Sequence, residues 1–262
     1  MTSHPSRRTV LKAIAVTATG AMLPRNLMAG SQPLLEGSDV CLVLPEVTEG
    51  PYYLDSRLVR RDIREGRAGV PVVLRLQVVD SACAPLPGAR VDVWHCDAQG
   101  IYSGFGGDTA DRTSSKGETF LRGTQIADTQ GVAEFLTVYP GWYRGRTTHI
   151  HYKIFLDETN VLTGQIFLPD ALSEYLYAAV PAYHRDGTRD TMNGTDGIAA
   201  EASRAAFANV KEDAEAYLVT LIVGVDPEAE FTGTRQPGPP PAGEPRPRTA
   251  VGASPYIPGD DG

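Results

Sequence analysis

The fold class can be inferred first from the stretch Val72-Val-Leu-Arg-Leu-Gln-Val-Val79. Apolar Leu74 and Leu76 alternate with polar Arg75 and Gln77. Successive side chains of a β-strand point to opposite faces of its sheet, so this alternation is typical of a strand with one buried face. We therefore predict a strand over these residues.

Similar short runs, rich in β-branched and aromatic residues and separated by turn residues, continue along the chain. Asp128-Thr-Gln-Gly131 has the composition of a hairpin loop. Two stretches, 171–180 and 198–209, predict helices. Many short strands with close turns favour an all-β sandwich of about seven to eight strands over an alternating strand-and-helix fold. The further strands are predicted at 89–95, 119–127, 132–139, 149–156, 162–168 and 217–225.

Composition excludes some classes of partner. The chain has 262 residues, 42% of them hydrophobic and 21% charged, which is ordinary for a globular protein. Its net charge is −8, and residues 1–29 contain four basic and no acidic residues, so without them the charge is −12. So acidic a protein is a poor candidate for binding nucleic acid or an anionic membrane surface.

The N-terminus predicts export. Arg7 and Arg8 precede a mildly apolar stretch at 13–23. This order is typical of a twin-arginine signal peptide, here residues 1–29, and predicts a periplasmic or secreted protein. An ordinary short amphipathic helix is the alternative interpretation. The apolar stretch is too short to span a bilayer.

After the signal peptide we expect one folded domain, residues 30–234, and then a disordered Pro-rich tail, residues 235–262. The three cysteines, Cys41, Cys83 and Cys96, all lie in the domain. An oxidising compartment would allow one disulfide and leave one thiol. The sequence does not show which two cysteines pair.

His149 and His151 are the first candidates for metal ligands. On a strand this spacing places both rings on one face, where two neutral imidazoles can bind one ion. Tyr143 lies just upstream in a Gly-rich turn, and a phenol beside two imidazoles favours trivalent iron over zinc. A solvated strand face is the alternative for a bare H-x-H pair, but Tyr143 and Arg146 favour a site.

Three stretches, taken in order, resemble the intradiol ring-cleavage dioxygenases, in particular their exported single-domain branch. The resemblance runs from about Leu44 to Leu168. It implies an oxidoreductase that opens catechol-type aromatic diols with O₂ to muconate-type diacids, using non-haem Fe(III). The stretches are Leu44-Pro-Glu-Val-Thr-Glu-Gly-Pro-Tyr-Tyr53, Val93-Trp-His with Gly100-Ile-Tyr-Ser103, and Pro140-Gly-Trp-Tyr-Arg-Gly-Arg146 with His149-Ile-His151. The implied iron ligands are Tyr102, Tyr143, His149 and His151.

The same resemblance implies roles for further residues. Tyr143 is the phenolate that leaves when substrate chelates, and it takes up a substrate proton. Arg146 stabilises charge that develops on the ring, although a surface arginine paired with an acid is the alternative. Gln165 matches a glutamine on the O₂ side of the ligands. Thr48 and Tyr52 match residues that line the substrate mouth, and they could equally form a turn.

Two other classes of protein compete with this interpretation. Cupins also use H-x-H, but they need a glutamate soon after the second histidine, and residues 152–157 contain none, while Glu158 is too far along. A metal-free transthyretin-like or carbohydrate-binding sandwich would fit residues 79–91. Such a module has no reason to carry the two tyrosines and the H-x-H pair in one order. The sequence does not show which aromatic diol is the substrate, and it does not show the oligomeric state.

Overall fold

The computed structural model describes residues 41–106 and 114–231. Over these residues the chain forms two four-stranded sheets and a few short helices, which confirms the predicted all-β sandwich. The predicted signal peptide and Pro-rich tail lie outside the described residues. The strands are β1 Pro71–Val79, β2 Arg90–Trp94, β3 Arg122–Ile126, β4 Val132–Val138, β5 His149–Leu156, β6 Thr159–Phe167, β7 Asn209–Glu212 and β8 Tyr217–Gly224.

The first sheet has the strand order β4-β1-β8-β7, and the second has the order β3-β2-β5-β6. β1 and β8 run parallel, whereas the other neighbouring strands of the two sheets are antiparallel. In the first sheet Leu74 lies opposite Phe135 of β4 and Val219 of β8. All three side chains are buried in the core, as the alternation in β1 predicts.

The core lies between the two sheets, and it leaves the second sheet with a separate outer face. Val91 and Val93 of β2 pack in the core, together with Ile150 and Tyr152 of β5. Because neighbouring side chains of a strand point to opposite faces, the two histidines of β5 lie on the outer face. The candidate site is therefore built on the outer face of the second sheet.

A short segment, residues 47–53, covers this outer face. It comes from the stretch before β1 and crosses all the strands of the second sheet. Its contacts reach one strand after another: Val47 N–H donates to Thr163 O on β6, Glu49 pairs with Lys153 on β5, and Tyr53 donates to Asp92 on β2. Arg122 of β3 donates to Tyr52 O. We call residues 47–53 the covering segment.

One predicted helix is confirmed and the other is wrong over most of its length. The first is α1, Asp170–Ala179, which matches the prediction for 171–180. The predicted helix 198–209 ends early, because α2 spans only Gly197–Glu201. Within the described part of the chain, no helix is long and apolar enough to cross a bilayer.

The α-helix does not continue beyond Glu201, and there are two reasons, one local and one long-range. Ser203 adopts a left-handed backbone conformation with φ 65°, and its hydroxyl accepts from the Ala205 N–H at 3.3 Å. A single 3₁₀ turn, Arg204–Ala206, follows. β7 then pairs with β8 at the edge of the first sheet, so tertiary pairing overrides the helix propensity of the alanines.

The tight turn predicted at Asp128–Gly131 is present, but the predicted hairpin is wrong, because β3 belongs to the second sheet and β4 to the first, so the turn connects the two sheets. The Asp128 carboxylate accepts from the backbone N–H groups of Gln130 at 2.8 Å and Val132 at 2.9 Å. Gly131 has φ 72°, a conformation that glycine adopts without a steric penalty. The side chain and the glycine together fix the tight turn.

Cys41 and Cys83 form a disulfide, and Cys96 is a buried thiol outside it, whose Sγ donates to the Gly141 carbonyl oxygen at 3.4 Å. The bond joins the residues just before the covering segment to the β1–β2 turn, 42 residues further along the chain. Disulfides persist in oxidising compartments. The structure thus selects one of the three pairings that the sequence leaves open.

Replacing Cys83 with serine should lower the free energy of unfolding by about 2–4 kcal/mol, because the unfolded chain regains the entropy that the crosslink removes. Denaturant unfolding of the wild type and the variant measures this difference. The variant in which both Cys41 and Cys83 are serine is the control and should lose no more than Cys83→Ser alone. Equal stability of wild type and Cys83→Ser would contradict the crosslink.

Candidate metal centre

His149 and His151 lie on the outer face of β5, as their spacing predicts. Both side chains are buried, with 2% and 1% of their surface exposed. In the register of the second sheet, His151 lies between Trp94 of β2 and Gln165 of β6. The indole of Trp94 stacks on the His151 ring, with centroids 4.8 Å apart and an angle of 11° between the planes. This stack fixes the orientation of the imidazole.

Tyr102 reaches the histidines from the turn after β2. The Asp97 carboxylate accepts from the N–H groups of Gln99 and Ile101, which closes the turn. Gly100 has φ 83°, and a Cβ there would lie 2.4 Å from the carbonyl oxygen of Trp142. Only glycine therefore lets this turn approach the loop that carries the second tyrosine.

Tyr143 lies in the loop between β4 and β5. A β-bridge joins it to Arg146, so the loop doubles back before the strand begins. Its ring meets that of Tyr102 edge-on, with centroids 5.7 Å apart. The two tyrosines thus come from different loops and meet over the H-x-H pair, as the predicted ligand set requires.

Four donor atoms converge at this point. The Nε2 atom of His149 lies 3.0 Å from His151 Nε2, 3.1 Å from Tyr143 Oη and 3.4 Å from Tyr102 Oη. Two ligands about 2.1 Å from one ion, at angles of about 90–110°, would be about 3.0–3.4 Å apart. Each of the other three donor atoms therefore lies at the distance from His149 Nε2 that separates two ligands of a single metal ion.

Hydrogen bonding also fits a cation at this point. His149 Nδ1 lies 2.6 Å from the Thr147 carbonyl oxygen, so Nδ1 carries the proton and Nε2 presents its lone pair to the cluster. One lone pair cannot satisfy the two phenols and the second imidazole that surround it. A metal ion bound by all four groups would account for their approach.

The pKa shifts indicate the protonation states of the two histidines and the two tyrosines in the metal-free protein. Burial, reinforced by the positive charge of Arg146, lowers the pKa of His149 well below its ordinary value. Burial likewise lowers the pKa of His151, so both imidazoles are neutral. Burial raises the pKa of both Tyr102 and Tyr143, so the phenols keep their protons in the metal-free protein. Binding a metal as phenolate would release those protons.

The donor set selects the kind of metal. In residues 41–106 and 114–231, no group of three or more His, Cys, Asp and Glu side chains could hold an ion. Glu158, the glutamate nearest in sequence after the H-x-H pair, pairs with Arg57 and is exposed, so a cupin-type site is not assembled. Two imidazoles and two phenols match a hard trivalent ion such as Fe(III).

Arg146 and Gln165 lie beside the donor cluster. One guanidinium nitrogen of Arg146 is 3.4 Å from His149 Nε2, and another donates to the Gln165 side-chain oxygen. The Gln165 amide donates in turn to the Thr48 carbonyl oxygen at 3.0 Å. The structure thus brings both residues to the site, while their catalytic roles stay predictions.

Thr48 and Tyr52 have different places in the covering segment. Thr48 Oγ1 accepts from the Gly50 N–H at 3.1 Å, so its side chain forms the turn that was the alternative interpretation. Tyr52 stacks on Tyr102 with ring centroids 4.3 Å apart and lies edge-on to Tyr143 at 6.5 Å. Tyr52 is therefore the member of this pair whose ring forms a wall of the site.

Three residues around the site, Trp94, Arg122 and Asp196, could not be recognised from the sequence as parts of it. Trp94 fixes His151, and its place opposite that histidine depends on strand register. Arg122 is buried and donates to the Ser103 carbonyl oxygen at 2.7 Å, which ties the Tyr102 loop to β3. Asp196 accepts from Arg146 Nε at 2.9 Å. The sequence around Asp196 indicates only a helix N-cap. No sequence pattern indicates that Asp196 lies next to the site.

A family model described as Dioxygenase matches residues 47–182, just over half of the chain. The curated Catechol 1,2-dioxygenase of Acinetobacter baylyi is 28% identical over 211 residues, which cover 70% of this chain and 64% of that protein. A second Catechol 1,2-dioxygenase, from a Pseudomonas species, is 30% identical over 171 residues, covering 55% of this chain and 54% of the relative. The chain therefore spans between about half and two thirds of the length of these relatives.

One solved structure is matched over nearly its whole length, unlike the curated relatives. An intradiol ring-cleavage dioxygenase from Tetranychus urticae has a TM-score of 0.67 and 31% identity. The match covers 73% of this chain and 98% of that one. The fold of this structural relative agrees with the sandwich. The chain belongs to the intradiol ring-cleavage dioxygenase family.

Proposed function

We propose that this chain is a non-haem Fe(III)-dependent intradiol dioxygenase that opens catechol-type aromatic diols with O₂ to muconate-type diacids. The convergence of Tyr102, Tyr143, His149 and His151 on one point carries the proposal, because this donor set suits a ferric ion. Family membership supports the reaction class. The substrate class rests on the curated relatives, which include the two Catechol 1,2-dioxygenases described above.

Fe(III), when bound by these four residues, would supply Lewis-acid activation of the diol and a template for its two oxygens. The protein supplies the rest of the chemistry. Tyr143 is partly exposed, whereas Tyr102 is 2% exposed. Tyr143 is also carried by a loop with a tight reversal, so it is the phenol that can move aside and accept a substrate proton.

The surroundings of the donor atoms orient and stabilise the substrate. Arg146 presents a fixed positive charge within 3.4 Å of His149 Nε2, where the oxygens of a bound diol would carry negative charge. The ring of Tyr52, stacked on Tyr102, provides an apolar wall for an aromatic ring. Burial of the site strengthens these interactions because it excludes water.

The regiochemistry of cleavage tests this proposal. Iron-loaded protein incubated with catechol and O₂ should yield cis,cis-muconate, because cleavage falls between the two hydroxyl-bearing carbons. Chromatography and mass spectrometry identify the product. A yellow semialdehyde, formed by cleavage beside the diol, would contradict the intradiol mechanism even if iron were bound. Absence of turnover across a panel of aromatic diols would contradict the proposed function altogether.

We also propose that the protein is exported by the twin-arginine pathway. The Arg7–Arg8 pair motivates this, and the Cys41–Cys83 disulfide supports it, because such bonds persist in oxidising compartments. Replacing both arginines with lysine should leave the protein inside the cell, as fractionation and immunoblotting would show. Unchanged export of the double variant through the general secretory route would contradict the proposal.

A further inference from the structure

A segment after α1 is hydrogen-bonded to the loop between β4 and β5, which carries Tyr143 and Arg146. The Asp190 carboxylate accepts from the Gly145 N–H at 2.9 Å, and the Asn193 side-chain oxygen accepts from the Thr147 hydroxyl at 2.7 Å. The Asp196 carboxylate accepts from the Thr147 N–H at 2.8 Å. These three acceptor residues are spaced three positions apart in the sequence. Together they hold the stretch between Tyr143 and His149 in place.

Asp196 is the most buried and the most fully bonded of these three residues, with 1% of its side chain exposed. One carboxylate oxygen accepts from the N–H groups of Ile198 and Ala199 and so caps α2. The other oxygen accepts from the Thr147 N–H and from Arg146 Nε. Burial opposes ionisation, but the Arg146 charge and these N–H groups outweigh it and hold the pKa of Asp196 below its usual value.

The bond to Asp196 determines where the Arg146 guanidinium points. A guanidinium is planar, so a fixed bond at Nε sets the direction of its other two nitrogens. One of them donates to Gln165, which the covering segment anchors in turn. The remaining nitrogen, Nη1, lies 3.4 Å from His149 Nε2 and faces the donor cluster.

We propose that Asp196 is a positioning residue for ring opening, which holds Arg146 so that Nη1 faces the site where the diol binds. This inference rests on the proposed function and deepens it. Asp196 contacts none of the four donor side chains in the hydrogen bonds described, so it acts through Arg146 rather than on the metal.

Asp196→Asn in the iron-loaded full-length protein tests the proposal. The amide keeps the size and one acceptor oxygen but removes the charge that binds Arg146. Bonds to charged groups have larger effects than neutral ones, so kcat/KM for catechol should fall by about 10- to 100-fold. Iron content and the visible absorption band should stay as in the wild type. Asp226→Asn makes the same change in an exposed turn cap and should leave both kinetics and iron unchanged.

A double-mutant cycle with Arg146→Ala separates positioning from general support of the fold. If Asp196 acts through Arg146, Asp196→Asn should change kcat/KM by less than about twofold in the Arg146→Ala background. An equal fall in both backgrounds, or wild-type kinetics for Asp196→Asn alone, would overturn the proposal. So would loss of iron in step with activity.

Asp196 also caps α2, so the asparagine variant could fail to fold. Asp196→Glu then carries the test, because it keeps the charge and displaces the carboxylate by one methylene. It should lower kcat/KM with Arg146 present and have little effect without it, and an equal loss in both backgrounds would again overturn the proposal. If the wild-type protein cleaves no diol, the proposed function is refuted. If the wild-type protein is active and the Asp196 variants are fully active too, only the role of Asp196 is refuted.

Discussion

Replacing Tyr102 with phenylalanine should remove most of the iron and bleach the visible colour of the protein. The substitution keeps the ring that stacks on Tyr52 and deletes only the oxygen that lies 3.4 Å from His149 Nε2. Loss of an anionic donor should weaken iron binding by at least about 100-fold, since even indirect changes around a metal cost 10- to 100-fold. Iron per chain and visible absorbance of the purified protein measure the effect.

Tyr152→Phe is the matched control for this prediction. Tyr152 lies on β5 next to His151, but its ring is buried in the core on the opposite face of the sheet. The same chemical change there should leave the iron content and colour intact. Full iron and full colour in Tyr102→Phe would show that Tyr102 is not a ligand.

Replacing Arg146 with alanine should lower kcat by about 10²- to 10³-fold while the iron stays bound. Arg146 contributes no donor atom to the cluster, but its charge faces the place where negative charge develops on the substrate. Steady-state kinetics with catechol, together with iron analysis, separate the two effects.

Arg57→Ala is the control for the arginine change. Arg57 is 66% exposed and pairs with Asp55 and Glu158 at the surface, so its loss should leave kcat and iron unchanged. If Arg146→Ala lost iron in proportion to activity, Arg146 would be part of the metal site's support rather than a residue that stabilises the reacting substrate.

The parts of the fold that depend on local pattern could be predicted from the sequence. The alternation in Val72–Val79 gave β1, because period two and a buried face are properties of a single strand. The spacing of His149 and His151 likewise placed both rings on one face of β5. Tyr102 and Tyr143 lie in loops that have no period. Tyr143 could be proposed because it lies close to the H-x-H pair in sequence, whereas the place of Tyr102 in the site came only from the resemblance of whole motifs.

The parts that depend on distant contacts could not be predicted. β7 exists because it pairs with β8, and the alanine-rich sequence before it favours a helix until that partner is known. The choice of Cys41 and Cys83 depends on where the covering segment begins relative to the β1–β2 turn. Asp196 lies 50 residues beyond Arg146 in sequence and meets it only in the folded protein.

The metal content and visible spectrum of the purified wild-type protein test the central claim most directly. Protein produced with both iron and zinc in the medium would be analysed for each metal and scanned across the visible range. Two phenols and two imidazoles around one ion predict about one iron per chain and a broad band from tyrosinate-to-Fe(III) charge transfer. A colourless protein that contains zinc and is fully active would contradict the account.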